Sequence, residues 1–204
     1  MIYQSCDWLK HPHLRKRVYK LPQDLKTSAC TTPVGSMGKS VKQALSNIHD
    51  SVMLKYYGCG LCIPPMLEGC TVLDLGCGAG RDVYAIAQLV GESGKVIGVD
   101  MTDEQLETAR EFEEYHREKF GYEKSNVTFK QGLIEKLDQV GIEDESLDVI
   151  VSNCVINLVP DKEAVLREVA RTLKPGGELY FSDVYRLVQG LCNTSMLTFF
   201  LISR

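Results

Sequence analysis

Apolar positions along this chain switch between two periods in regular alternation. Short runs rich in Val, Leu and Ile at Thr71 to Leu75, Lys95 to Asp100, Val127 to Gln131, Leu147 to Val151 and Glu178 to Val184 each predict a strand. Between them the apolar residues return at helical spacing. Val83, Ile86, Ala87 and Val90 mark one helix face, and Leu106, Ala109 and Phe112 mark that of a long charged helix. Asp161 to Leu173 forms a third helix, begun after Pro160. Strands separated by helices predict an α/β protein with a doubly wound, mostly parallel sheet. Upstream, Ser40 and Gln43 make a capping box, and Val41, Ala44, Leu45, Ile48 and Val52 share one face of a helix that should end near Gly58. Thr102 and Gln105 make a second such box.

Both ends depart from this alternation. Residues 1–39 carry Pro12, Pro22, Pro33, Gly35 and Gly38, which predict an irregular arm ahead of a domain spanning 40–186. Residues 187–204 form an apolar tail. Its block from Met196 to Ile202 is shorter than the roughly 20 residues of a membrane span, so no membrane partner is expected. The block is a candidate edge strand on a five-stranded sheet otherwise left incomplete at its C-terminal edge.

Composition narrows the class of partner. With 204 residues, 44% hydrophobic and 25% charged, the chain can bury one ordinary core, and a net charge of -4 argues against nucleic acid as a ligand. The basic group Arg15, Lys16, Arg17 and Lys20 reads as a solvated tail, because no signal-peptide core accompanies it. Eight cysteines without a secretory signal predict the thiols of a cytoplasmic protein rather than a disulfide framework. Cys59 and Cys62 form one C-x-x-C pair beside Pro64 and Pro65, with no second pair to complete a zinc ribbon.

The chemistry concentrates between residues 72 and 100. A strand with Asp74 leads into Gly76-Cys77-Gly78-Ala79-Gly80 and a helix, and the next strand ends in Asp100. Glycines let backbone N–H groups approach a ligand closely, and an acid at the following strand end can accept ribose hydroxyls. An acid two residues before the first glycine would repel a pyrophosphate but suits the ammonium of an amino-acid moiety. This D-x-G-x-G-x-G form resembles the first motif of the class I S-adenosylmethionine-dependent methyltransferases. The resemblance implies S-adenosylmethionine as cofactor, held by Asp74, Gly76, Gly78 and Gly80, with Asp100 and Met101 at the ribose-binding strand end. Gln131 to Glu135 resembles the adenine-binding loop. Many relatives place an Asp where this chain has Leu133, so backbone near Ile134 or the Glu135 side chain is expected to substitute. Tyr57 and Asn153 complete the expected cofactor contacts.

Three further stretches, Thr27 to Thr32, Tyr56 to Leu61 and Ser152 to Asp161, resemble arsenite methyltransferases over residues 19 to 185. That resemblance implies methyl transfer to trivalent arsenic bound by Cys59 and Cys154. It also implies a redox step in which Cys30 pairs with Cys59, served by a thiol reductant of the thioredoxin or glutathione type. Arsenic would be the substrate here, and no resident metal is expected. Thiolates suit it because trivalent arsenic is thiophilic. Full-length relatives continue beyond the point, about Arg186, where the likeness stops, so a truncated or alternatively spliced form with impaired turnover is expected. Two alternatives stay open. One is a small-molecule C- or O-methyltransferase whose cysteines are small buried hydrophobes; the other is a non-catalytic product that binds cofactor or arsenic.

Overall fold

The computed structural model describes residues 38–56, 60–186 and 194–200, with backbone alone for 184–186 and 194–200. Its centre is a six-stranded sheet in the order β3-β2-β1-β4-β5-β6. β1 (Thr71–Leu75), β2 (Lys95–Asp100), β3 (Val127–Gln131), β4 (Leu147–Asn153) and β5 (Leu173–Arg186) run parallel, and β6 (Thr194–Phe200) returns antiparallel along β5. The candidate edge strand in the tail therefore forms, and β5 does not end the sheet. β1 is flanked by β2 on one side and β4 on the other, so the strand order reverses there and a crevice opens at the carboxyl ends of β1 and β4.

Both sheet faces are covered, which is why the strands read as continuous apolar runs. Alternate residues divide between two cores. Val72, Val96 and Val151 pack with α3 (Arg81–Val90) and α4 (Asp103–Glu111), whereas Leu73, Leu75, Ile97, Val99 and Ile150 pack with α6 (Lys162–Thr172) on the other face. α3 is buried nearly all round because α1 (Lys39–Ser46) covers its outer side. Gln88 fastens that contact by donating to the Ala44 carbonyl at 2.9 Å and accepting from Asn47 at 2.7 Å.

Helix ends differ from the sequence expectation in ways that tertiary contacts explain. The Ser40 capping box does not form; α1 begins two residues earlier than that box implies, at Lys39 after Gly38, with no side-chain cap. The chain turns at Asn47, and a separate α2 (Asp50–Leu54) starts under a cap from the His49 ring, which accepts from the Ser51 N–H at 3.1 Å. Thr102 does stand at the start of α4, but its side chain makes no capping bond, and its backbone N–H donates to Asp100 Oδ1 at 2.8 Å. The long charged helix breaks at Phe112 into α4 and α5 (Glu113–Phe120). Asp161 caps α6 as its position suggested, accepting from the Ala164 N–H at 2.9 Å. β5 begins earlier than expected, taking in Lys174 to Gly177 through a register shift and a positive φ at Gly176.

The break at Phe112 serves an aromatic cluster. His49 stacks on Phe112, and His116 of α5 stacks on Tyr84 of α3 with ring centroids 3.6 Å apart. His116 Nδ1 donates to the Phe112 carbonyl at 2.7 Å, and Nε2 accepts the His49 N–H at 3.2 Å, a pattern that requires the neutral ring. Burial pushes its pKa down to about 4. The unfolded chain binds a proton near 6.5 that the folded chain refuses, so stability is full above 6.5 and declines as pH falls toward 4. Denaturant melts across that range are expected to show this slope, and His116→Gln to flatten it.

A second prediction concerns the turn after β1. Gly76 has φ +74°, and a Cβ there would lie 2.4 Å from a Val155 methyl. Gly76→Ala combines backbone strain with overpacking, together about 2–4 kcal/mol. A matching fall in denaturant midpoint is expected.

Candidate functional site: a two-part cleft at the switch point

The turn Gly76–Gly80 is held by the strand beside it. Gly76 N–H and Cys77 N–H donate to the Val99 carbonyl at 2.7 and 3.1 Å, and Gly78 N–H donates to Asp100 Oδ2 at 2.9 Å. The other Asp100 oxygen accepts from the Thr102 N–H at 2.8 Å. Gly80, with φ +89°, then opens α3 in a space where a Cβ would meet the Phe129 ring at 2.9 Å. Cys77 fills the turn: its thiol is free and buried, and burial holds it well above the usual thiol range.

Two clefts meet at this turn and share Gly76 and Val155 as a common wall. The first is lined among others by Asp74, Gly78, Asp82, Asn153 and Cys154. The second is bordered by Asp100, Met101, Leu133, Ile134 and Glu135. Their linings differ in chemistry, the first rich in carboxylates and the second mostly apolar. Gly78 contributes openness: a Cβ there would meet nothing within 4 Å, so its backbone faces space. The sequence-predicted residues Asp74, Gly76, Gly78, Asp100, Met101, Ile134, Glu135 and Asn153 thus lie on the two clefts, and Gly80 stands just behind them. Tyr57, Cys59 and Cys30 lie outside the described residues.

Electrostatically the first cleft favours a cation. Asp74 is 3% exposed, and burial together with Asp82 and Asp100 raises its pKa well above the ordinary value, with Arg81 acting the other way. Asp100 is equally buried, and desolvation raises its pKa against the opposing effect of its backbone hydrogen bonds. A positively charged ligand end would relieve this crowding of carboxylates.

Cys154 follows the end of β4, 5% exposed, with a positive φ of 56° and its N–H donating to the Ser182 carbonyl at 2.7 Å. It is disulfide-bonded. Cys62 is a free, buried thiol whose pKa is pushed up to about 12 by burial and by Asp82, Asp74 and Asp183. It therefore remains protonated at neutral pH and is a poor nucleophile.

Sequence reasoning missed a polar cluster that walls the first cleft. Arg81 lies 3.1 Å above the Tyr56 ring and donates to Asp82 from Nε at 2.7 Å. Asn153 Nδ2 donates to the Tyr56 hydroxyl at 2.8 Å, the Gly60 carbonyl at 2.7 Å and Asp82 Oδ2 at 3.2 Å. The Tyr56 hydroxyl donates to the same carbonyl at 2.7 Å. Burial, then Asp82, holds the Tyr56 phenol above its usual range, so it stays protonated as a donor. The available signal was Arg81-Asp82 itself, a charged pair opening an otherwise apolar helix.

The chain is 57% identical over 169 residues to the arsenite methyltransferase of Homo sapiens, covering 83% of this chain and 45% of that protein. It is 58% identical over 169 residues to the arsenite methyltransferase of Aquipseudomonas alcaligenes, covering 83% and 48%. Among solved structures, an arsenic(III) S-adenosylmethionine methyltransferase from Chlamydomonas reinhardtii superposes with a TM-score of 0.72 at 55% identity, over 74% of this chain and 50% of that one. The chain spans about half the length of the curated relatives it matches. A model of the methyltransferase domain family matches residues 67–198, through all the parallel strands and into β6. On that match the chain belongs to the methyltransferase domain family.

Proposed function

We propose that this protein binds S-adenosylmethionine across the two clefts and transfers its methyl group to trivalent arsenic held by cysteine thiolates, Cys154 foremost. The observation that carries the reading is the meeting of two chemically distinct clefts at Gly76, with a cysteine on the wall of the acidic one. The residues fit the cofactor. Asp100 and the apolar walls of the second cleft suit a nucleoside, and the carboxylates of the first suit an ammonium and a sulfonium.

When bound, S-adenosylmethionine supplies an electrophilic methyl on a leaving group that is already cationic, so arsenic can take the methyl through its lone pair without a general acid. The protein's contribution is then to hold the nucleophile in line and exclude water. Cys154 must first be reduced. Two electrons and two protons, from one dithiol of the thioredoxin class or two thiols of the glutathione class that leave as a disulfide, convert its disulfide to thiols, which lose their protons as arsenic binds. Cys59 directly precedes Gly60, whose carbonyl accepts from Asn153, the residue before Cys154. Chain continuity thus supports Cys59 as the second thiolate, and the relatives' printed activity supports the substrate. Among the described residues no helix is long and apolar enough to cross a membrane. We place the protein in the cytoplasm, where a thiol reductant is at hand.

Two outcomes test the reading. Calorimetric titration of the reduced protein with S-adenosylmethionine should give an affinity that weakens as pH is lowered, because protonating Asp74, whose pKa burial raises, removes attraction for the cation. A pH-independent affinity would contradict the role given to Asp74. Cys154→Ser should lower affinity for arsenite roughly tenfold or more while leaving cofactor affinity within about threefold. Equal arsenite binding by variant and parent, followed by mass spectrometry, would overturn the thiolate assignment.

A further inference from the structure

The cluster of Arg81, Asp82, Tyr56, Gly60 and Asn153 touches the thiol end of the site without supplying a reacting atom. Asp82 is 7% exposed, and its two oxygens face different partners: Oδ1 takes the Arg81 guanidinium, Oδ2 the Asn153 amide. Asn153 places two hydrogens among three acceptors. That crowding fixes its side chain. Its backbone continues directly into Cys154, a non-glycine residue in the left-handed region, whose conformation the surroundings must therefore impose. Asp82 also lies in the first turn of α3, two residues past Gly80 of the turn that would meet the cofactor.

We propose that Arg81 and Asp82 are positioning residues for Cys154. Through Asn153 they hold the left-handed backbone that aims the thiol into the first cleft, and through α3 they set that thiol in register with the glycine turn. Arg81 gives the arrangement stiffness by sitting over the Tyr56 ring while its fixed guanidinium fork pairs with Asp82, a geometry a flexible lysine ammonium holds less firmly. The inference deepens the proposed methyl transfer and rests on it for the purpose of the thiol, but the placement of Cys154 can be read without arsenic.

The test compares the reduced parent protein with Asp82→Asn, Arg81→Lys and Tyr56→Phe. Val169→Ala, on the far side of the sheet, serves as a control for general loss of stability. Mass spectrometry follows iodoacetamide labelling of Cys154, and calorimetry follows S-adenosylmethionine and phenylarsine oxide. Asp82→Asn and Arg81→Lys should speed labelling of the buried Cys154 at least about fivefold and weaken phenylarsine oxide binding about tenfold. Cofactor affinity should move less than about threefold. Tyr56→Phe, which keeps the ring beneath Arg81, should fall between them and the parent. Val169→Ala should change neither cysteine readout at temperatures well below its melting midpoint. Labelling rates in Asp82→Asn and Arg81→Lys that match the parent's, or that rise no more than in Val169→Ala, would overturn the inference. A parent protein that binds no phenylarsine oxide would count against the proposed function alone, because the labelling rates would still decide the role of Asp82.

Discussion

Both oxygens of Asp100 accept backbone N–H groups, one from Gly78 in the turn after β1 and one from Thr102 at the start of α4. A carboxylate this deeply buried is unfavourable unless such donors meet it, so the turn and the strand end are obliged to stay together. Gly78 opens onto the first cleft and Asp100 borders the second. One side chain thus sets the shape of both. The same constraint gathers Asp74, Asp82 and Asp100 close enough that burial and mutual repulsion raise the cost of ionising Asp74, a cost that a cation would relieve.

The parts of this arrangement that were readable in the sequence are those governed by local backbone and burial. β1, β2 and β3 begin and end at the residues their apolar runs indicate, because a strand covered on both faces leaves little ambiguity in its pattern. The glycine turn was readable for a similar reason: Gly76 and Gly80 take conformations that other residues resist, and each sits against a side chain that excludes a Cβ. Helix ends were less legible. Ser40 had the residue type for a cap and was not used, whereas His49 caps α2 because its ring is already fixed against Phe112 and Tyr115. That fixing comes from α4 and α5, far along the chain, and no local pattern encodes it.

The polar wall of the first cleft shows the same limit more sharply. Tyr56 and Asn153 are 97 positions apart, and only the folding of the segment before β1 across the end of β4 brings the phenol to the amide. Asn153 was expected to meet the cofactor. It does line that cleft, but its amide nitrogen is engaged by Tyr56, Gly60 and Asp82, which makes it a structural hub as well. Cys154 could be anticipated as a site residue from its place after a strand at the switch point, but its left-handed backbone could not.

The two ends of the cleft are therefore built differently. The glycine turn is shaped by main-chain N–H groups, by glycines and by the one carboxylate, Asp100, that accepts the Gly78 N–H. Many substrates can be served by one such turn. The thiol end depends on side chains that hold one another: a guanidinium on a ring, a carboxylate on an amide, an amide on a carbonyl. Such a network is satisfied only as a whole, since removing one member leaves buried polar partners unmet. Under the proposed function, substrate choice would reside in the layer laid over the sheet, and Asp82, at the first turn of α3, joins that layer to the turn beneath it through Asn153.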